Sequence, residues 1–355
     1  MALLALALLA AACSGAGSAP ATPRPPTPIP PTPTPRSTAL PPLDRPIALL
    51  GGQERPLTIA FALPGGRGPS ASDRAALAQA VADALQPLSQ TLNLADDIEV
   101  QAVTLDEPAA LRALCSGAPV TAWVSAFTYA AAARACGAQP MLALIREGDA
   151  GTTIGAVYEV VVPADVTRPA DLAGQVACRV EGDLDAWAVS ALMLQAEGFN
   201  ALAQMSHSAV YPGESAAFDA LMAGECAALA LPAGRLEALL DPLPVRDENP
   251  RERLHVLVGG GDPTLPDEEN TSLSFPRYAI PYGLWVAAPE SALPAGELRP
   301  LREELEAAVA AHLDDNPAAL ARWFDASGAV PVDAGGLAGL RRWLDDAGWD
   351  MAFRP

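Results

Sequence analysis

Lysine is missing from this chain altogether: all 22 basic residues are arginine, set against 42 acidic ones, for a formal charge of −20 over 355 residues. A field of that sign repels phosphate backbones and anionic headgroups, which excludes nucleic acid as a partner. Histidine is scarce. The three present, His207, His255 and His312, have no ligand-like spacing to the cysteines, and there is no CxxC, so no metal site is expected. Catalytic signatures are equally absent: no GxSxG elbow, no HExxH, no P-loop, and no GxGxxG after a strand. Gly259-Gly-Gly261-Asp262 is a turn without a following helix pattern, and the carboxylate pairs Asp314-Asp315 and Asp345-Asp346 read as solvated helix ends. Neither an enzyme nor a cofactor is expected. Aromatics make up only 5% of residues, and past the first dozen positions no apolar run approaches the roughly 20 residues that span a bilayer. The body of the protein reads as soluble.

What is present begins with the apolar run from Met1 to Ala12, too short to span a membrane but suited to the hydrophobic core of a signal peptide. Small residues lead from it into Cys13, and a Pro/Thr-rich tract then reaches to about Pro46. The pairing resembles a bacterial lipoprotein. That resemblance implies removal of residues 1–12 and acylation of Cys13, with several acyl chains giving stable anchoring on the outer face of a membrane. A cleaved secretory signal with an incidental cysteine is the other reading. Residues 13–46 cannot build a core and read as an extended polyproline-like stalk; at about 3.1 Å per residue it reaches some 60 to 100 Å.

Folded sequence starts at Leu57-Thr-Ile-Ala-Phe-Ala-Leu63, strand-like, closed by the turn signal Pro64-Gly65-Gly66. A helix is expected over about Ser72–Leu92, then a strand near Ile98–Val103, a helix near Pro108–Cys115, a strand at Val120–Val124, a helix over about Thr128–Ala135 and a strand at Met141–Ile145. Such alternation argues for a parallel α/β sheet. A second α/β run follows: a buried strand between Thr153 and Pro163, a short helix at Ala170–Gly174, a strand at Val176–Val180, helices at Ala186–Glu197 and Ala217–Ala223, and a strand at Ala227–Leu231. Ile280–Ala288 reads as a strand returning to the first lobe, and helices near Leu298–Leu313, Pro317–Phe324 and Gly335–Ala347 complete the chain. The expected fold class is therefore α/β with two lobes, residues 47–150 plus 281–355 and residues 151–280, around a ligand cleft.

Cys115, Cys136, Cys178 and Cys226 remain once Cys13 is set aside, an even number in a chain assigned to an oxidising compartment. Of the three possible connectivities, Cys115 with Cys136 and Cys178 with Cys226 is favoured, because each pair falls within one stretch of regular structure and one lobe.

Four segments together resemble the solute-binding proteins of ABC importers with the type 2 periplasmic-binding fold, in particular the phosphate, phosphite and phosphonate branch. They are the opening strand Leu57–Pro64; Cys115-Ser-Gly-Ala-Pro-Val-Thr-Ala-Trp-Val-Ser-Ala-Phe-Thr-Tyr129; Tyr158-Glu-Val-Val-Val-Pro-Ala-Asp165 with Asp171-Leu-Ala-Gly174; and Tyr211-Pro-Gly213-Glu through Gly224. The resemblance implies a small polar solute, an ABC permease as partner, an extracytoplasmic location and a ligand-facing Tyr129. Phosphonate binders of the family usually carry a Ser-Thr-Ser-Gly-like run at a helix start in the second lobe, where hydroxyls, N–H groups and the helix dipole meet an anion. Here Asp183-Leu184-Asp185-Ala186 stands in its place, so an altered ligand site is expected. Candidate ligand contacts are Phe61, Ser125, Phe127, Tyr129, Asp183, Asp185, Trp187, Glu214 and Tyr282. Each has a plainer reading: Asp183 and Asp185 as helix caps, Tyr129 and Trp187 as core residues. His207 is expected on a surface loop. A monomer is expected. A membrane-tethered sensor not coupled to transport would use the same fold.

Overall fold

The structure, a computed structural model, describes residues 49–63, 68–148, 151–181, 184–242, 250–261, 264, 275–289 and 298–349. The apolar leader, Cys13, the Pro/Thr tract and the turn at Pro64–Gly66 lie outside these residues, as does Asp183. Along the chain the elements are β1 (Leu57–Ala62), α1 (Ala71–Leu85), β2 (Val100–Thr104), α2 (Glu107–Leu114), β3 (Val120–Val124), α3 (Ala126–Cys136), β4 (Gln139–Gly148), β5 (Gly151–Thr153), β6 (Gly155–Ala156), β7 (Tyr158–Pro163), β8 (Val176–Val180), α4 (Leu184–Ala196), α5 (Ala201–Gln204) and β9 (His207–Tyr211). There follow α6 (Glu214–Ala223), β10 (Ala228–Pro232), α7 (Arg235–Leu240), α8 (Pro250–Arg253), β11 (Leu254–Gly259), β12 (Ile280–Pro281), β13 (Leu284–Ala287), α9 (Leu298–Asp314), α10 (Pro317–Phe324), β14 (Gly328–Pro331) and α11 (Ala338–Asp346).

The strands form a first sheet in the order β14-β4-β13-β3-β1-β2, with β5 hairpinned onto β4, and a second in the order β11-β7-β10-β8-β9. β1 and β3 sit inside the first sheet with helices on both faces, so apart from one threonine each (Thr58, Thr121) their sequences are apolar instead of alternating. Their period of two still sorts the side chains: Ile59, Phe61 and Trp123 face the core under α1, α9 and α10, while Ala60, Ala62, Ala122 and Val124 face that under α2 and α3. Trp123 and Trp285 are register partners on β3 and β13, and their rings stack at 6.0 Å.

The parallel arrangement expected from the alternation holds for β2-β1-β3 and for β10-β8-β9. The remaining pairs are antiparallel: β13 with β3 and β4, β14 with β4, and β7 with β10 and β11. Helix α1 stops at Leu85, short of the expected Leu92, because Pro87 turns the chain into a single 3-10 turn at Gln86–Leu88. His207 opens the exposed edge strand β9 where a loop was expected. The strand expected over Ile280–Ala288 is two, β12 and β13, broken at Tyr282-Gly283.

That break serves the crossing between the sheets. β12 pairs antiparallel with β6, and a Cβ on Gly155 would stand 2.6 Å from the Ile280 carbonyl oxygen, so only glycine lets the two crossing segments meet. The disulfides follow the favoured pairing. Cys115–Cys136 ties the end of α2 to the end of α3 with Cα atoms 5.5 Å apart, and Cys178–Cys226 ties β8 to the turn after α6 at 5.6 Å.

The terminal helix α11 lies against α4 through buried Trp343, whose ring meets Tyr278 edge-on at 5.3 Å. It also reaches α3. Arg134 pairs with Asp345 and donates to the Trp349 carbonyl at 3.0 Å, while Trp349 lies 5.7 Å from Phe127. Tyr278 holds a left-handed backbone, φ 67°, and donates its hydroxyl to Glu197 at the end of α4 at 2.6 Å.

Candidate ligand site

In parallel α/β sheets ligands bind beyond the carboxyl ends of the strands, where helices begin. At that end of the first sheet β3 passes into α3 through Ser125, an extended N-cap whose hydroxyl accepts the Thr128 N–H at 3.2 Å. Beside it, β2 passes into α2 through Asp106, which caps the Ala109 N–H at 2.7 Å and turns the next residue, Glu107, toward α3. Glu107 Oε1 accepts the Thr128 hydroxyl at 2.7 Å and the Ser125 hydroxyl as well. One carboxylate thus takes both hydroxyl protons of the first turn of α3. The expected helix start at Pro108 left Glu107 out of the candidate set; the Asp-Glu-Pro sequence, an N-cap followed by an acidic first turn, was the available signal.

Tyr129 follows on the same turn. It is fully buried, and burial pushes its pKa up against the opposing pull of Arg341, which lies beside its hydroxyl. Phe127, half-buried, faces Trp349. Ser125, Phe127 and Tyr129 are therefore gathered at one helix start, while Phe61 is not part of that group. Phe61 is 3% exposed in the first-sheet core, stacked on Phe324 at 6.0 Å and edge-on to Trp323 at 6.1 Å, because its odd position in β1 points it under α1 and α10. Tyr282 braces the crossing instead of standing free: its hydroxyl bonds Thr153 Oγ1 at 2.9 Å and its ring carries the Arg146 guanidinium at 4.1 Å.

At the matching end of the second sheet, Glu214 opens α6 and is held by Arg235 from the start of α7, at 2.6 and 2.9 Å. Glu214, one of the candidate contacts, is thereby engaged in an ion pair with Arg235. Asp183 lies outside the described residues; Asp185 is in the first turn of α4. Trp187 packs into the core beneath α4. Glu159, at the same end of β7, accepts a backbone N–H from Gly234, and burial pushes its carboxyl above the usual range, with Glu237 adding to the rise. Among the described residues no group of His, Cys, Asp and Glu could hold a metal ion, and no helix is long and apolar enough to cross a membrane.

Two α/β sheets joined by paired crossing segments, with polar groups at the strand ends where helices begin, are the build of a solute-binding protein. Residues 75–334 match the family of periplasmic substrate-binding proteins of phosphonate ABC transporters, and the chain belongs to that family, with its type 2 periplasmic-binding fold. Solved structures similar to it include an ATP-bound Xanthomonas citri protein (14% identity, 82% of this chain and 96% of that one, TM-score 0.43). Another is PhnD1 of Prochlorococcus marinus in complex with methylphosphonate (11% identity, 83% and 98%, TM-score 0.38), and a third is the aliphatic sulphonate-binding protein SsuA of Escherichia coli (14% identity, 83% and 86%, TM-score 0.34). No curated protein sequence matches the chain.

Proposed function

We propose that the protein is the solute receptor of an ABC importer, anchored by lipid at Cys13 and carried on the stalk of residues 13–46, with a ligand site altered from that of phosphonate binders. The family match over residues 75–334 carries the transport reading. Residues 47–150 with 281–355 form one lobe and residues 151–280 the other; the solute bridges them at the strand ends that hold Ser125, Phe127, Tyr129 and the start of α4. Closure about the crossing of β6 and β12 then shifts the open–closed equilibrium by the solute's differential affinity, and the closed monomer is what the permease meets. Asp183 and Asp185 in place of a hydroxyl-rich run support the altered site. Thermal-shift screening of phosphate, phosphonates, amines, amino acids and sugars tests the receptor reading. A solute at 100 times its Kd stabilises by about 2.7 kcal/mol; no rise in Tm with any class sinks it.

A further inference from the structure

We infer that Glu107 is the residue that sets the ligand class: a resident carboxylate occupies the position where an oxyanion would meet the first turn of α3, so the site refuses oxyanions and takes a solute that presents a protonated amine. This rests on the receptor reading above. An incoming phosphonate or sulfonate at this helix start needs donors, and the hydroxyls nearest the helix end, those of Ser125 and Thr128, are both committed to Glu107 Oε1. Thr128 is 8% exposed, so its hydroxyl has little room to turn toward a different acceptor. The Thr128 N–H is taken by the Ser125 oxygen.

Among the described residues, half-buried Glu107 has no arginine partner and no hydrogen bond at Oε2. A second anion placed beside it meets like charge at short range in a partly dehydrated site; a donor cation there completes the carboxylate's coordination. The Arg235 guanidinium is spent on Glu214, and Glu159 stands at the same end of the second sheet. Selection here follows from repulsion of the wrong class as well as attraction of the right one.

Calorimetry and thermal unfolding on the purified protein test this with methylphosphonate and inorganic phosphate as anion probes, and ethanolamine, putrescine, cadaverine and agmatine as amine probes. The expected result is no saturable anion binding by the wild type and at least a tenfold gain of anion affinity in Glu107→Gln, which keeps the side chain's shape and removes its charge. Glu107→Ala, which frees both hydroxyls, gains more. One or more amines raise the wild-type Tm, and the rise is lost in Glu107→Gln. Circular dichroism and the unliganded Tm establish that each variant is folded. Micromolar binding of either anion by the wild type overturns the inference, as does a folded pair of variants with no gain. An amine response unchanged by Glu107→Gln, or absent in the wild type, overturns the amine assignment. Binding of a sugar or neutral amino acid alone would do so too while leaving the receptor reading standing, whereas silence across every solute class sinks that reading.

Discussion

Arg235 turns two of its nitrogens, Nε and Nη2, onto a single oxygen of Glu214, joining the first turn of α7 to that of α6 across the carboxyl end of β10. The pair is accessible, with side chains 49% and 27% exposed, so solvent screens it. A double-mutant cycle of Arg235→Ala and Glu214→Ala in urea unfolding should give a coupling of about 0.2 to 1 kcal/mol. A coupling above about 2 kcal/mol would mean that the pair is far less hydrated than its exposure indicates.

Trp343 is the anchor of α11, 1% exposed and edge-on to Tyr278, and the same helix reaches α3 through Asp345 and the Trp349 carbonyl. Trp343→Ala should cost about 3 to 5 kcal/mol by denaturant unfolding. Asp345→Ala, which removes only an exposed ion pair, should stay under about 1 kcal/mol. Equal costs for the two would show that burial of the indole is not what holds α11.

The strands in the middle of each sheet were legible because they are buried on both faces and read as unbroken apolar runs: β1, β3 and β10 carry little else. Of the edge strands, β2 was legible, but β9, β11 and β14 were not. β9 and β14 alternate weakly and pair on one side only, so their short sequences resemble loops. At the site, the polar start of α3 was readable from the strand–Ser–helix pattern, but Phe61 was misplaced because facing depends on a one-residue register that sequence does not give. Glu107 and the Arg235–Glu214 pair escaped for a different reason. Both join segments whose neighbourhood is created by the sheet order, 18 residues apart in one case and 21 in the other.

Two carboxyls bend the stability–pH curve in opposite directions. The Ser70 hydroxyl, followed by the Trp323 indole N–H, the Ser70 backbone and Arg322, holds Asp73 below its ordinary value. A lowered folded pKa contributes stability above the unfolded value, lost as pH falls through the folded one. Asp73→Asn should therefore lower Tm at pH 7, and the difference from wild type should shrink toward pH 3. Burial holds Glu159 above its ordinary value, so the folded state binds its proton more tightly and this group loses stability as pH rises past the unfolded value. Glu159→Gln should close part of that loss, raising Tm at pH 7 relative to pH 4; a pH-independent difference in either variant would remove the assigned cause.

The proposed membrane attachment rests on Cys13. Expressed in a bacterial host, the wild type should enter the detergent phase and Cys13→Ala the aqueous phase, since loss of the acyl chains leaves only a polar Pro/Thr stalk. Equal partitioning of the two would remove the lipid anchor.

The two disulfides should differ in their contributions, because their loops differ. Cys115–Cys136 closes a separation of 21 residues and Cys178–Cys226 one of 48. In the chain-entropy account, restraint of the unfolded state then amounts to about 3 kcal/mol for the first and about 4 kcal/mol for the second. Replacing each pair by serine in protein made in an oxidising compartment should reproduce that order in denaturant unfolding. The second pair should show a further loss, since Cys178 is fully buried on β8 and a serine hydroxyl there needs a partner that the apolar core around Val161, Phe218 and Leu229 does not offer. Non-reducing peptide mapping must first recover Cys115 linked to Cys136 and Cys178 to Cys226. Four free thiols would refute the pairing, and a larger loss from the first pair would show that packing, not loop length, decides the ranking.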